Sequence, residues 1–235
     1  MTFLIMILFS VWAIIYPATD FYCRRISRCI IKKGNPSPKL LHLSFDDGPD
    51  PRYTPAVLKI LDQFGISASF FLVGRKVESH PDLVRQICRA GHEIGSHTYH
   101  HHHAYLMGYQ KSKATVMQNI TLLQSLTGKP LIWFRPPWGA LNLFQWLVVK
   151  QNHLKPVLWT ANANDWLLTT TPEQIQTLLL GKVQSGAIIL LHDSGGEEGA
   201  PLNTLKALPQ IIQNFQSEGY QFVTLQELTG GKNLK

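Results

Sequence analysis

The chain has 235 residues, of which 45% are hydrophobic and 16% are charged. This length suffices for one α/β or barrel domain with a single core, and the composition excludes a disordered or fibrous chain. The net charge of +7 is concentrated near the N-terminus, because residues 40–231 carry 14 basic and 14 acidic side chains. Six basic residues lie between Arg24 and Lys39 with no acidic one among them. This pattern argues against a nucleic-acid-binding surface and favours anionic lipid headgroups beside a membrane.

The N-terminal segment is strongly apolar. Residues 3–16 read FLIMILFSVWAIIY, and extending the segment to residues 2–23 adds Asp20 as its sole charged residue. A membrane span needs about 20 mostly apolar residues. No Lys or Arg precedes the segment, and Tyr16-Pro17-Ala18 is a poor cleavage site. The sequence therefore predicts an uncleaved membrane-anchor helix in preference to a cleaved signal peptide or a buried helix.

After a short linker at residues 34–38, apolar strands alternate with amphipathic helices. Such alternation indicates βαβ units and a parallel sheet, and six or seven units fit a barrel. The predicted helices cover residues 55–64, 81–90, 111–126, 143–149, the residues after Pro172, and 204–215. The predicted strands are residues 40–45, 68–73, 93–96, 132–134, 157–160, 187–191 and 222–225.

Two adjacent carboxylates, Asp46 and Asp47, end the first predicted strand and precede Gly48-Pro49. Neighbouring residues on a strand point to opposite faces, so both carboxylates reach one site only if the backbone bends. The alternative is a solvated turn, which an Asp-Gly-Pro sequence commonly forms.

A histidine-rich run follows the third predicted strand. His97 and His101 are four residues apart, a spacing that would place both imidazoles on one face of a helical turn. Two histidines with one carboxylate form a zinc site with an open position. The register stays open because His100, His102 and His103 crowd the same run, and a polar surface loop is the alternative.

Three further polar clusters follow later strands. Taken singly, each has a structural interpretation: a rigid turn, a helix-cap aspartate beside a core tryptophan, and a strand-end histidine. Five clusters after five strands instead indicate one site assembled from barrel loops. The three clusters are Arg135-Pro136-Pro137-Trp138-Gly139, Asp165-Trp166 and Leu190-Leu191-His192-Asp193.

In this order, the five clusters resemble the motifs of the polysaccharide deacetylase family with the NodB homology domain, carbohydrate esterase family 4. The resemblance extends over residues 39–228. It implies a distorted (β/α)7 barrel of the NodB type, here preceded by the predicted anchor helix. We therefore divide the chain into residues 1–38, comprising the anchor, the basic juxtamembrane segment and the linker, and residues 39–235, comprising the NodB-like catalytic domain.

The resemblance also implies roles for the catalytic residues. Asp46 matches the family's catalytic base, and Arg135 matches the arginine that orients this base. His192 matches the general acid, and Asp165 matches the residue that tunes that histidine. Asn162 departs from the family pattern, because an acidic residue often stands before the Asp-Trp pair.

Ligand and substrate contacts follow from the same resemblance. Trp138 matches an aromatic position, often tyrosine, whose backbone N–H helps to hold the oxyanion. Leu190 and Trp166 match apolar residues that form the wall of the acetyl pocket. The implied ligands of Zn2+, or of another divalent transition metal, are Asp47, His97 and His101.

The expected function is metal-dependent removal of N-acetyl groups from a glycan that contains N-acetylglucosamine, either peptidoglycan or a chitin-like polymer or oligomer. The alternatives are an O-acetyl sugar esterase, a hydrolase of a non-sugar amide, and a non-catalytic, membrane-anchored sugar-binding module. The expected partners are the glycan and, through the N-terminal segment, membrane lipids. The positive charges that follow the anchor favour a cytoplasmic domain. A cell-envelope glycan instead requires an extracytoplasmic one, which we expect.

Overall fold

The computed structural model describes residues 18–22, 29–36 and 38–230. The apolar run at residues 3–16 lies outside this part of the chain, so the membrane anchor stays a prediction. Among the described residues, no helix has both the length and the apolar character needed to cross a membrane.

Eight parallel strands form one sheet, in the order β5-β4-β3-β2-β1-β7-β6, with the short β8 paired to the start of β1. The central strands β1, β2 and β7 are almost entirely buried, as is typical of parallel sheets covered on both faces. In chain order the strands are β1 Leu40–Asp46, β2 Ala68–Leu72, β3 Glu93–Ser96, β4 Trp133–Phe134, β5 Lys155–Pro156, β6 Ala161–Asn162, β7 Ile188–His192 and β8 Gln221–Phe222.

Helices connect most of these strands, and local sequence determines several of their ends. Thr171 and Thr224 form capping boxes at the starts of two helices, and Gly128 ends the longest helix in a left-handed conformation. In chain order the helices are α1 Thr54–Gln63, α2 Gly74–Ser79, α3 Pro81–Arg89, α4 Tyr109–Thr127, α5 Leu143–Gln151, α6 Pro172–Lys182, α7 Ala200–Ser217 and α8 Leu225–Leu228.

The structure confirms the predicted parallel α/β architecture and corrects three elements. The predicted strand at residues 157–160 is wrong, because this segment changes its pairing partner: Val157 N–H donates to Phe134, whereas Thr160 N–H donates to Ile188. The predicted strand at residues 222–225 ends at Phe222 because α8 begins at Leu225. Helix α2 was not predicted, since six residues are too few to show helical periodicity.

Residues 30–34 lie against the opening between the two ends of the sheet. Ile31 forms a parallel bridge with Val157, and Lys33 forms an antiparallel bridge with Ala187. Ile30 is buried in the main hydrophobic core. The division of the chain at residue 38 stays a prediction, but the structure packs this preceding segment onto the domain.

Strand β1 separates an apolar layer from a polar interior. Alternation along the strand sends one set of side chains into the main core and the other to the opposite face of the sheet. The core set is Leu41, Leu43 and Phe45, and the buried polar set is His42, Ser44 and Asp46. The polar set leads directly to the carboxyl end of the strand, where Asp47 follows.

Candidate active site

Asp46 and Arg135 form a buried ion pair at the ends of β1 and β4. The Arg135 guanidinium donates from Nη1 to Asp46 Oδ1 at 2.7 Å and to Ser44 Oγ at 2.9 Å. It also lies over the Phe71 ring, 4.0 Å from the ring centroid. Burial lowers the pKa of Arg135, and the charge of Asp46 opposes that effect. The pair holds the Asp46 carboxylate in one orientation.

Asp47 turns away from the direction of the strand. Its backbone adopts φ 71°, so its side chain does not follow the alternation of β1, and both carboxylates line one pocket. This backbone conformation is the bend that allows both carboxylates to reach one site. Gly195, with φ +72°, passes so close that a Cβ there would lie 2.3 Å from Asp47 Oδ2. Only glycine allows this approach.

His97 and His101 face Asp47 from the loop after β3. The expected helical turn is wrong: the segment is irregular, and Thr98 and His101 have φ values of 61° and 57°. These left-handed residues fold the loop so that the two imidazole centroids lie 5.0 Å apart. The predicted pair therefore converges through backbone turns rather than through helical periodicity.

Asn119 on α4 holds this loop from behind, and sequence reasoning did not select it. Its Nδ2 donates to the backbone oxygens of Leu72 at 2.8 Å and Thr98 at 2.9 Å, and approaches Ser96 Oγ at 3.0 Å. These contacts of the buried Nδ2 group couple α4 to the ends of β2 and β3. Its place in the sequence, within an amphipathic helix far from the five motifs, carried no signal of this role.

Asp47, His97 and His101 fit a divalent cation. Asp47 Oδ1 lies 3.0 Å from His101 Nε2 and 3.4 Å from His97 Nε2. Ligand atoms that each bind one cation at about 2.1 Å lie roughly 3.0–3.5 Å apart. His97 Nδ1 lies 2.7 Å from the Arg135 carbonyl oxygen, and this contact orients the ring so that its Nε2 atom faces Asp47.

The charge state of Asp47 agrees with a ligand role. Burial alone would raise the pKa of Asp47, but the imidazoles of His101 and His97 hold it well below its ordinary value. The carboxylate is therefore ionised at neutral pH, as binding of a cation requires. Among the described residues, this is the group of histidine, cysteine and acidic side chains whose atoms converge enough to hold a metal.

His192 and Asp165 form the opposite side of the pocket. His192 Nδ1 lies 2.9 Å from Asp165 Oδ1, and the backbone N–H of His192 donates to Asp165 Oδ2 at 2.7 Å. Thr204 Oγ1 donates to the same Oδ2 at 2.9 Å. Burial lowers the pKa of His192, but the Asp165 carboxylate outweighs it and raises the value to about 9. Because Asp165 occupies Nδ1, the proton that faces the pocket is carried by Nε2.

Aromatic and aliphatic side chains enclose the space between these groups. The pocket has a volume of about 550 Å³, and its apolar wall includes Trp138, Trp159, Trp166 and Leu190. Trp166 meets the His192 ring edge-on at 5.5 Å between centroids. Trp138 has φ 55°, and its ring lies 4.4 Å from that of His101. Trp159 was not predicted to be a site residue, because it lies in the predicted strand at residues 157–160.

A second polar layer lies beneath Asp47. Lys76 Nζ donates to the Asp47 carbonyl and to Ser194 Oγ, both at 2.7 Å. Asp193 is fully buried and accepts a hydrogen bond from Thr54. Burial raises the pKa of Asp193 to about 7, despite this hydrogen bond and the nearby charge of Lys76. The sequence did not indicate Lys76, Ser194 or Thr54, and it placed Asp193 in the fifth polar cluster without a role.

A family model described as polysaccharide deacetylase matches residues 33–157, which is more than half of the chain. The chain belongs to the polysaccharide deacetylase family. This deacetylase-family protein is 36% identical over 192 residues to a peptidoglycan-N-acetylglucosamine deacetylase of Bacillus cereus, covering 81% of this chain and 88% of the relative. Some other relatives are longer, and the chain spans 66% of one and 30% of another.

Solved structures show the same fold. A peptidoglycan N-acetylglucosamine deacetylase, Bc1960, in complex with 4-naphthalen-1-yl-N-oxidanyl-benzamide, superposes with a TM-score of 0.81 at 30% identity, covering 85% of this deacetylase and 92% of that chain. A family 4 acetyl xylan esterase from Clostridium thermocellum, in complex with a cobalt ion, gives a TM-score of 0.74 at 36% identity, with coverage of 81% and 90%. The predicted NodB-like fold is confirmed.

The structure brings all the predicted site residues of this deacetylase-family protein together. Arg135 and Asp165 lie buried directly behind Asp46 and His192. The remaining site residues line the pocket: Asp46, Asp47, His97, His101, Trp138, Trp166, Leu190 and His192.

Proposed function

We propose that this protein is a metal-dependent hydrolase that removes the N-acetyl group from N-acetylglucosamine residues of a cell-envelope glycan. One observation carries the proposal: a carboxylate held by Arg135 and a protonated imidazole held by Asp165 face the same pocket beside a cation-binding set. Pure sugar binding requires neither an acid nor a base. The arrangement therefore disfavours the non-catalytic, sugar-binding alternative.

The buried groups suit hydrolysis of an amide. A divalent cation held by Asp47, His97 and His101 would polarise the acetyl carbonyl and lower the pKa of water. Asp46 accepts the proton of the attacking water, since Arg135 holds its carboxylate aimed into the pocket. The backbone N–H of Trp138 is the proposed donor to the oxyanion.

Departure of the sugar amine requires a proton, because an amide nitrogen leaves poorly without one. His192 supplies it from Nε2, and Asp165 maintains the protonated ring at neutral pH. Leu190 and Trp166 exclude water around the acetyl methyl group. The roles of Asp46 and His192 are therefore complementary: one accepts a proton before bond cleavage, and the other donates one during it.

The substrate is proposed from the names of the relatives. The Bacillus cereus relative is named for peptidoglycan N-acetylglucosamine, which favours a glycan of the cell wall. An extracytoplasmic domain, attached through the apolar residues 3–16, would meet this polymer. Membrane lipids are accordingly the second proposed partner.

A second candidate is hydrolysis of O-acetyl esters on sugars. The Clostridium thermocellum neighbour is an acetyl xylan esterase, so the fold accommodates that chemistry. The two candidates differ in their need for His192, since an alcohol leaves more readily than an amine. Acetate release from N-acetylated and O-acetylated oligosaccharides therefore distinguishes them.

The test separates the two adjacent carboxylates. We expect Asp46→Asn to retain the metal while turnover falls about 100-fold or more, the scale of a lost general base. Asp47→Asn should first weaken metal binding, so that excess metal restores part of the activity. The measurements are metal content and acetate release. An Asp46→Asn protein that loses its metal, beside an Asp47→Asn protein that keeps both metal and activity, would refute the assignment.

A further inference from the structure

Arg75 is a cation at the pocket that the chemistry above does not use. It lines the same pocket as Asp46, Asp47 and His192, and its side chain is exposed. Among the residues that the structure describes, its guanidinium has no hydrogen bond and no salt bridge. Its neighbour Lys76 differs, because its ammonium group is bonded to Asp47 and Ser194.

The backbone of Arg75 is held in place. The N–H of Gly74 donates to the Thr98 carbonyl at 3.0 Å, and the N–H of Arg75 donates to the Tyr99 carbonyl at 3.0 Å. Both acceptors lie in the loop that carries the proposed metal ligands. The position of Arg75 relative to His97 and His101 is thus determined by main-chain hydrogen bonds, which limits where its side chain can reach.

A second basic side chain lies in the loop that is hydrogen-bonded to Arg75. His102 is exposed and belongs to the loop whose Tyr99 carbonyl accepts from the Arg75 N–H. Glu78, three residues after Arg75, is engaged by the Tyr99 hydroxyl. An N-acetyl group and a neutral sugar ring offer nothing that requires such a cation. The pocket is also larger than an acetyl group alone needs.

We propose that Arg75 selects the substrate, by binding a carboxylate carried by the glycan next to the sugar that is deacetylated. This inference rests on the proposed function and narrows its substrate class to anionic glycans. A guanidinium pairs with a carboxylate through two parallel hydrogen bonds, which gives geometric selectivity as well as affinity. Peptidoglycan offers such groups as lactyl carboxylates or as carboxylates of its peptide substituents, whereas a chitin oligomer is neutral.

The experiment compares three substrates of equal sugar length with the metal-loaded, full-length protein. They are a neutral N-acetylchitooligosaccharide, a peptide-free glycan strand with lactyl carboxylates, and the same strand with its peptides. We expect Arg75→Gln to raise KM about 5-fold for a carboxylate-bearing strand, with kcat unchanged and the neutral oligomer unaffected. The strand that shows the effect identifies the source of the carboxylate.

Two controls accompany the variant. Lys129→Gln removes an exposed cation that does not line the pocket and should change no KM. Arg75→Lys should retain part of the preference, since the charge remains while the paired geometry is lost. Higher ionic strength should reduce the wild-type preference for the anionic strand.

An equal effect of Arg75→Gln on neutral and anionic substrates, or no effect on either, overturns the inference. Equilibrium binding of the three oligomers tests the inference independently of the proposed catalytic function. If the wild type releases no acetate, the proposed function fails. In that case, a binding preference for the anionic strand that Arg75→Gln abolishes still supports the inference, and the absence of any preference overturns it.

Discussion

Asp46 and Asp47 show how adjacent carboxylates can acquire different environments. Asp46 remains on the strand and is held by Arg135, whereas Asp47 occupies a left-handed conformation that turns it toward two imidazoles. A non-glycine residue in this conformation is uncommon and is retained where the surroundings determine it. The cost of the turn at Asp47 is offset by contacts that only the folded chain provides.

The pH dependence of activity should follow the pair formed by His192 and Asp165. Asp165→Asn removes the charge that raises the pKa of His192, so the basic limb of the kcat/KM profile should move to lower pH. A bound cation acts in the opposite sense from Asp165, so both proteins must carry the same metal. Thr204→Ser keeps the hydroxyl that donates to Asp165 and should leave the limb in place. If the basic limb of the kcat/KM profile is unchanged in Asp165→Asn, a group other than His192 determines that limb.

This pair also predicts how stability depends on pH. The pKa of His192 in the folded protein, about 9, exceeds its ordinary value of 6.5. Its stabilisation is therefore complete below pH 6.5 and is lost as pH rises toward 9.

Asp193 should also lower the stability of the fold as pH rises, but over a more acidic interval. Burial raises its pKa from 3.8 to about 7, so the folded protein pays for ionisation as pH rises through that interval. Asp193→Asn removes this cost. The unfolding free energy of the variant, relative to that of the wild type, should therefore increase by about 2 kcal/mol from roughly pH 5 to pH 8. Urea unfolding of both proteins at the two pH values measures this increase. Asp82→Asn, on the exposed face of α3, is the control and should show no such gain.

At the scale of elements, the contact between α4 and the loop after β3 connects helix packing with metal binding. Asn119 is fully buried and donates to the backbone carbonyls of Leu72, at the end of β2, and of Thr98, which lies between the two histidines. The loop itself contains two left-handed residues, Thr98 and His101, and so lacks the regular hydrogen bonds that would hold it alone. The hydrogen bonds from Asn119 on α4 therefore hold the loop in place.

Replacing Asn119 should loosen the proposed metal site. Asn119→Ala leaves buried carbonyls without a donor, and we expect a loss of about 2–4 kcal/mol in unfolding free energy. We also expect metal affinity to fall about tenfold or more, since groups that orient ligands have effects of this size. Gln118→Ala, on the exposed face of the same helix, is the matched control. Unchanged metal affinity in a destabilised Asn119→Ala would show that the helix supports the fold alone.

At the scale of the molecule, residues 30–34, which precede the first strand, pack against the domain. Ile31 N–H donates to Pro156 and its carbonyl accepts from Leu158, while Gly34 N–H donates to Gly186. Ile30 is 5% exposed. The segment thus contacts the strands on both sides of the opening in the sheet.

Two truncations test the role of this segment. Deletion of residues 1–28 should leave a folded, active domain. Deletion of residues 1–34 also removes the buried Ile30 side chain and the backbone hydrogen bonds of Ile31 and Gly34, a loss of about 3 kcal/mol or more. For a domain of this size, that corresponds to a decrease in Tm of roughly 6–12 °C. Equal Tm values for the two proteins would show that the segment contributes only surface contact.

The amino-acid sequence by itself determined the alternation of strands and helices, because apolar periodicity and caps such as Thr171 are local signals. It also determined that five polar motifs follow five strands, since the carboxyl ends of parallel strands share one edge of a sheet. Local patterns could not show how His97 and His101 converge, because the left-handed turns depend on support from α4. Nor could they show the second layer of Lys76 and Asp193, or the free charge of Arg75 beside the pocket. Those features arise from contacts between residues distant in the chain, and burial and electrostatic pairing are decided only once the chain is folded.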